Sequence, residues 1–306
     1  MNILITGGAG FIGTALAVKL SKKYNVDVFD LESKINTLNK VENVNYFNVD
    51  VSNYNQVETF IEKEYTYIFH LASQTSGLIS HEQPELDVDT NVKGTLNICR
   101  FAQEIGNVKL IFTSSMAVYG DSELPLCEKF EPNPKSNYGV SKLSAEKYIK
   151  LFSNRGIEYT IFRLFNVYGP GQDLENMKQG MLSIFVTQAI KNKKIDVTGS
   201  LERYRDFIYI DDIVNALTLA IEDKDRTLNE IFNVGCGIKT TVKDLIGSIS
   251  TSLDIELPVN NIGGILGDQF GTYSNCNKLL SLGWEPKTSL KDGLPHTIQD
   301  AKGKLT

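Results

Sequence analysis

Ser115, Tyr138 and Lys142 are the residues whose types and spacing promise chemistry. Tyr138 and Lys142 stand four apart in Tyr138-Gly139-Val140-Ser141-Lys142; on a helix that spacing puts a phenol and an ammonium on one face, where both can address one bound molecule. Ser115, within Ser114-Ser115-Met116-Ala117-Val118-Tyr119-Gly120, adds a hydroxyl. A positive charge beside the phenol favours the phenolate and would move it from about 10 toward the operating pH, which makes Tyr138 a candidate general base.

Such a set needs a bound molecule and elements to aim it. Residues 2–6 read as a short buried strand that runs directly into Gly7-Gly8-Ala9-Gly10-Phe11-Ile12-Gly13 and then a helical pattern over 11–20. These glycines allow a tight turn and bring backbone N–H groups against a pyrophosphate at a helix N-terminus, where the dipole favours negative charge. Val26-Asp27-Val28-Phe29-Asp30 is the expected second strand. Its terminal acid lies seventeen residues beyond Gly13, near the spacing at which a carboxylate accepts hydrogen bonds from an adenosine ribose. Asp30 therefore predicts NAD rather than NADP, whose 2′-phosphate it would repel. The cationic ring of oxidised NAD would add to the pull of Lys142 on the phenol.

Further strands are expected over 44–49 ending at Asp50-Val51, over 67–71 ending in Ala72-Ser73, over 108–113 delivering Ser114 and Ser115, and over 159–165. Helices over 53–64, 84–105 and 137–154 separate them, and that alternation predicts a parallel sheet. Gly7, Asp30, Asp50, Ala72 and Ser115 all fall at carboxyl ends of strands, where open parallel sheets bind ligands. Beyond Gly171 the pattern loosens. It reads as a helix over 180–191, a strand over 195–198, a strand over 205–212 running into a helix over 213–221, a strand over 230–234, a helix over 241–252, and two short helices around Trp284. The expected fold is α/β: a Rossmann-type doubly wound parallel sheet over 1–170 carrying the Ser/Tyr/Lys set. A smaller, discontinuous C-terminal lobe over 171–306 would bind substrate, with 205–235 returning to the main sheet and the ligand between the two parts.

Composition narrows the partners. A chain of 306 residues with 42% hydrophobic and 22% charged residues is ordinary globular material, long enough for one or two cores. A formal charge of −6 and no basic block argue against nucleic acid or an anionic membrane. No run approaches eighteen apolar residues, and Ile3-Leu4-Ile5 passes straight into a glycine turn, so no export signal and a cytoplasmic location are expected. Cys99, Cys127, Cys236 and Cys276 are too widely spaced for a zinc or disulfide framework, and with three histidines no metal is expected.

With these residues in view, the chain resembles the extended short-chain dehydrogenase/reductase superfamily, in its NAD-dependent nucleotide-sugar epimerase/dehydratase branch. The resemblance spans nearly the whole chain. It rests on Thr6 through Gly13, Asp50-Val51, His70-Leu71-Ala72-Ser73, Asn91-Val92-Lys93-Gly94-Thr95, Ser115 through Gly120, Tyr138 with Lys142, Arg163 through Pro170 and Arg205 through Asp212. It implies that Gly7, Gly10 and Gly13 form the pyrophosphate turn, Phe11 and Ile12 supply its backbone donors, and Asp30 binds the adenosine ribose. It further implies that Asp50 and Val51 contact adenine and that Leu71, Ala72 and Ser73 lie beneath the cofactor. Ser115, Tyr138 and Lys142 become the catalytic set, Lys142 also holding the nicotinamide ribose, and Asn166, Arg205 and Asp268 become contacts to a nucleotide-sugar. A homodimer joined through the helices over 84–105 and 137–154 is implied as well.

Two departures from the family narrow the reaction. Sugar-nucleotide 4,6-dehydratases resembled here carry Asp and Glu after the catalytic hydroxyl; this chain has Met116 and Ala117, neither of which exchanges a proton. Related 4-epimerases carry an Arg two residues before the Gly267-Asp268 pair, where this chain has Ile265, leaving Arg205, or Arg203, to meet the diphosphate. The expected activity is 4-epimerisation of an NDP-hexose of the UDP-glucose/UDP-galactose type through a transient 4-keto sugar, with a net NDP-sugar dehydrogenase or reductase as the alternative and a non-catalytic NAD(H)-binding protein behind it.

Overall fold

The computed structural model describes residues 1–263 and 270–305. Its strands are β1 (Asn2–Thr6), β2 (Asn25–Asp30), β3 (Val44–Asn48), β4 (Tyr67–His70), β5 (Lys109–Ser115), β6 (Glu158–Leu164), β7 (Asn166–Tyr168), β8 (Ile195–Val197), β9 (Tyr204–Arg205), β10 (Phe207–Tyr209), β11 (Glu230–Val234), β12 (Thr240–Thr241) and β13 (Val259–Asn261). Seven of them form one sheet in the order β11-β6-β5-β4-β1-β2-β3. Every pairing in that sheet is parallel. Parallel neighbours need crossover connections, so helices cover both faces and the central strands β1, β4, β5 and β6 are buried on both sides, while the edge strand β3 is not.

The period-two alternation sorts the strand residues between two cores. Ile3, Ile5, Val26, Val28, Phe69, Ile111 and Phe162 face one layer, with Leu16 and Ala17 of the Phe11–Leu20 helix and Ile213 and Leu217 of the Ile210–Glu222 helix. Leu4, Phe29, Ile68, Leu110, Phe112 and Ile161 face the other, with Ile98 and Phe101 of the Gly94–Ile105 helix and Ala145 and Ile149 of the Asn137–Ser153 helix. The first core continues into the C-terminal part through Phe185, Leu245, Trp284 and Leu294. That part is built from the pairs β7-β10, β9-β12 and β8-β13 with the helices Met181–Asn192, Val242–Leu253 and Leu290–Leu305.

Four elements differ from the sequence reading. The helix expected over 53–64 is Tyr54–Val57 followed by a 3₁₀ turn, Glu58–Phe60; the tightening seats Phe60 against Phe29 and Phe47, ring centroids 4.5 and 4.9 Å apart. The long helix over 84–105 carries a π-helical stretch, Asp87–Lys93, before Gly94–Ile105. The strand expected over 205–212 is broken at Asp206, whose carboxylate leaves the ladder to accept N–H groups from Cys236, Gly237 and Ser274 at 2.9, 2.9 and 3.0 Å. The last helix, Leu290–Leu305, is sixteen residues rather than short, and its Gly293 lies where a Cβ would come 2.5 Å from the Tyr168 hydroxyl.

Candidate active site

The glycine turn closes where the sheet leaves room for nothing larger. Gly7 donates to Phe29 O at 2.8 Å and has φ +70°; a Cβ there would lie 2.5 Å from Ala72 N, and one on Gly13 would overlap the Gly7 carbonyl. The Phe11–Leu20 helix begins at an extended Gly10 with no side-chain cap and no acid in its first turn. The N–H groups of Phe11 and Ile12 therefore belong to a helix start suited to an anion. At the end of β2, Asp30 accepts from Ala9 N at 2.9 Å and from Leu31 N at 2.8 Å. Burial raises its pKa and these backbone donors pull it back. Each oxygen keeps a lone pair for a ribose hydroxyl.

Asp50 follows β3 and turns its carboxylate onto Ser52 N at 2.8 Å. Val51 is buried, takes a hydrogen bond on its carbonyl from Asn97 Nδ2 at 2.8 Å, and packs over Gly94, where a Cβ would come 2.8 Å from Val51 Cγ2. After β4, Leu71 N donates to Thr6 O at 3.0 Å and Ala72 N to Thr6 Oγ1 at 3.4 Å, which ties this loop to β1 beside Gly7. The carboxyl ends of β1 to β5 thus bring together Gly7, Asp30, Asp50, Ala72 and Ser115.

Ser115 closes β5 and caps the 3₁₀ turn Met116–Val118, its Oγ accepting from Ala117 N at 3.2 Å. Ser136 caps the Asn137–Ser153 helix by accepting from Gly139 N at 3.1 Å, and Gly139 lies where a Cβ would be 2.5 Å from Ala117 O. That contact presses the helix onto the Ser115 turn, and brings the Ser115 hydroxyl close enough to the Tyr138 phenol to lower its pKa. Lys142 is 2% exposed; its Nζ lies 4.3 Å from the Phe112 ring centre and donates to Ser73 Oγ at 3.4 Å. Hydroxyl and phenol are thus neighbours, with Lys142 one turn along the same helix.

The ionisation of the pair departs from the expected pattern. Burial pushes Tyr138 up to about 12, with Ser115 pulling down and Asp87 pushing further up. Burial pushes Lys142 down to about 7, against the pull of Glu146 and Asp87. In the chain alone desolvation outweighs the help that Lys142 was expected to give the phenolate.

Sequence reasoning missed the polar layer beneath this set. Asn91 is buried; its Oδ1 accepts from Ser73 Oγ and Gln74 N, both at 2.8 Å, and its Nδ2 donates to Ser141 Oγ at 2.9 Å. It ties the β4 loop to the Tyr138 helix. His70 sits with Nδ1 2.7 Å from Thr6 Oγ1 and Nε2 3.0 Å from Thr95 Oγ1. Because the Thr95 hydroxyl donates to Asn91 O at 2.6 Å, the hydrogen-bond pattern assigns the imidazole proton to Nε2. Burial, and then Lys142, push this histidine down to about 3, so it is neutral. Glu146, one turn below Lys142, accepts from Arg163 Nε at 2.9 Å, from its terminal nitrogen at 2.7 Å and from Ser114 Oγ at 2.6 Å. The available signal was an acid or amide at helical spacing from a catalytic residue, which becomes informative only once burial is known.

Of the residues expected to meet a nucleotide-sugar, Asn166 opens β7 and its Nδ2 donates to Asp206 O at 3.2 Å. Arg205 is 7% exposed and donates to the carbonyls of Tyr204 at 2.8 Å and Phe270 at 3.4 Å. Burial, and then Arg203, push its guanidinium down to about 10. Arg203 itself donates to the carbonyls of Thr198 and Ser200. Asp268 and Ile265 lie outside the described residues. Among the described residues no group of three or more metal-binding side chains occurs, and no helix is long and apolar enough to cross a membrane.

A parallel seven-stranded sheet that presents a serine, a tyrosine and a lysine beside a glycine turn defines a short-chain dehydrogenase/reductase-type α/β protein. The chain belongs to the NAD-dependent epimerase/dehydratase family, whose model matches residues 3–235. It is similar to a putative UDP-glucose 4-epimerase of Methanocaldococcus jannaschii, 35% identical over 97% of each chain. It is also similar to a dTDP-4-dehydro-6-deoxyglucose reductase of Escherichia coli, 32% identical over 99% of this chain and 98% of the other. Among solved structures, the UDP-glucose 4-epimerase of Thermotoga maritima with UDP-glucose superposes with a TM-score of 0.93 at 34% identity over 100% of both chains.

Proposed function

We propose that the protein is an NAD-dependent nucleotide-sugar epimerase that inverts C4 of an NDP-hexose of the UDP-glucose/UDP-galactose type. The observation that carries this reading is the packing of the Tyr138/Lys142 helix at Gly139 onto the turn that Ser115 caps, a turn in which Met116 and Ala117 directly follow Ser115. The glycine turn, the uncapped helix start at Gly10 and the free lone pairs of Asp30 fit a dinucleotide. NAD, when bound, supplies the hydride acceptor and donor and, when oxidised, a positive charge. Ser73 and Asn91 keep Lys142 against the floor where the nicotinamide ribose would lie. Tyr138, assisted by Ser115, takes the 4-hydroxyl proton as the 4-keto sugar forms and returns it after the sugar has turned over. Asn166, Arg205 and Asp268 hold the nucleotide, Arg205 by its forked donors, so that remote binding supplies the energy while the hexose stays free to rotate.

The experiment offers UDP-, GDP-, CDP- and dTDP-sugars deuterated at C4, with extraction of the nucleotide that co-purifies. An epimerase keeps its keto intermediate, so deuterium stays at C4 of the inverted product with no added cofactor, and the extracted nucleotide is NAD rather than NADP. Stoichiometric NADH accumulation, or a requirement for a second oxidant, would overturn this reading in favour of a net dehydrogenase or reductase, the reaction class that the reductase relative makes the alternative.

We further propose a homodimer joined through the outer faces of the helices around 84–105 and 137–153, where Leu86, Val88, Val140 and Leu151 are 38%, 57%, 51% and 47% exposed. Sedimentation at micromolar concentration should give twice the 34.1 kDa chain mass; a strictly monomeric profile contradicts the assembly.

A further inference from the structure

Asp87 takes no part in the set described above, yet it is 1% exposed and sits at the start of the π-helical stretch Asp87–Lys93, which turns both Asp87 and Asn91 inward. Its two hydrogen-bond donors are neutral: Gln74 Nε2 reaches Oδ1 at 2.7 Å and Ser80 Oγ reaches Oδ2 at 2.5 Å. Both lead to the catalytic pair. Gln74 follows Ser73, the acceptor of the Lys142 ammonium. Ser80 O accepts from Asn137 Nδ2 at 3.0 Å, and Asn137 is the residue before Tyr138.

The other groups around the pair are already balanced. Glu146, on the same helix as Lys142, has both oxygens on Arg163 and one also on Ser114. His70, from β4, is neutral. β5 presents the Phe112 ring and the Ser115 hydroxyl, and the β4 loop presents the Ser73 hydroxyl. Glu146, although held by Arg163, still acts on Lys142, whereas Asp87 is, among the described residues, the negative charge that acts on both Tyr138 and Lys142 and that no guanidinium answers. In a buried site such a charge favours the ammonium and disfavours the phenolate.

We propose that Asp87 is a positioning residue that acts as the counter-charge of the catalytic pair, setting the pH range over which Tyr138 and Lys142 work. It deepens the epimerase reading by naming what tunes the same site. Its effect on Tyr138 opposes base catalysis and its effect on Lys142 supports it, so it raises both ionisations together and moves the whole pH profile rather than one limb.

Three variants test it. Asp87→Asn keeps shape and hydrogen bonds but removes the charge, and should move both limbs of the kcat/KM profile about one pH unit toward acid. Ser80→Ala removes a hydrogen bond but keeps the charge, and should leave the midpoints where they are even if the rate falls. Gln74→Lys keeps Asp87 and sets an ammonium beside it, so the acid shift should recur there even if Asp87→Asn fails to accumulate as folded protein. Folded Asp87→Asn or Gln74→Lys enzyme with unmoved midpoints overturns the proposal, as does Ser80→Ala shifting them equally. The ultraviolet difference titration of Tyr138, each NAD-loaded protein measured against its Tyr138→Phe counterpart, needs no substrate. A lower phenol midpoint in Asp87→Asn than in wild type sustains the proposal even where no sugar nucleotide is turned over, and an equal midpoint refutes it.

Discussion

Lys109 and Lys142 are both buried lysines, 1% and 2% exposed, set near opposite ends of β5, and they do different things with their ammonium groups. Lys109 opens the strand and donates to Ala220 O and Lys224 O, each at 3.2 Å, and to Thr227 Oγ1 at 2.8 Å. It fills the C-terminal end of the Ile210–Glu222 helix, where carbonyls lack intrahelical donors and the dipole favours a cation. Lys142 donates, among the described residues, to one hydroxyl at 3.4 Å and otherwise lies over an aromatic ring. Burial depresses both, Lys109 to about 8 and Lys142 to about 7. Burial and a shifted pKa therefore do not distinguish a working lysine from a structural one. Spare donor capacity facing a ligand cradle does.

The largest effect that could break this contrast is on turnover. Lys142→Met should cost roughly 10²- to 10⁴-fold in kcat/KM while the protein melts at or above the wild-type temperature, since a poorly partnered buried charge is removed. A Lys142→Met enzyme that keeps its rate, or melts well below wild type, would put Lys142 in the structural class with Lys109.

A smaller effect, on stability, sharpens the other side. Lys109→Met should lose about 1–3 kcal/mol, because carbonyl and hydroxyl acceptors are left unsatisfied, with turnover per folded molecule unchanged. The pH dependence has a defined sign. The folded pKa lies near 8 and the unfolded one at 10.5, so between them the unfolded chain holds a proton that the folded chain has released. The wild type should accordingly gain stability relative to Lys109→Met as pH rises through that window. Chemical denaturation at several pH values reads both the size and the slope, and a flat difference would mean that Lys109 carries no strained charge.

The same division separates what could be read from the chain and what could not. Gly7 through Gly13, Asp30 and the Tyr138/Lys142 spacing were legible because each obligation is local: a turn too tight for a Cβ, an acid at a strand end, one helix face. Six of the seven sheet strands follow from alternation with helices before Gly171, and Glu230–Val234 also reads as a strand in the sequence, although its pairing with β6 does not. The break at Asp206 and the π-helical turn at Asp87 were not legible, since each depends on donors far along the chain or on packing against another element.

The sequence by itself determined the parallel α/β class and the dinucleotide turn and singled out Ser115, Tyr138 and Lys142 as candidates, because periodicity and short spacings encode them directly. Tertiary structure alone decided which of two buried lysines is spoken for, that Glu146 is answered by Arg163 while Asp87 is not, and that desolvation rather than Lys142 governs the Tyr138 phenol. Those are questions of which polar groups meet once water has been removed, and the partners come from elements as much as 118 residues apart.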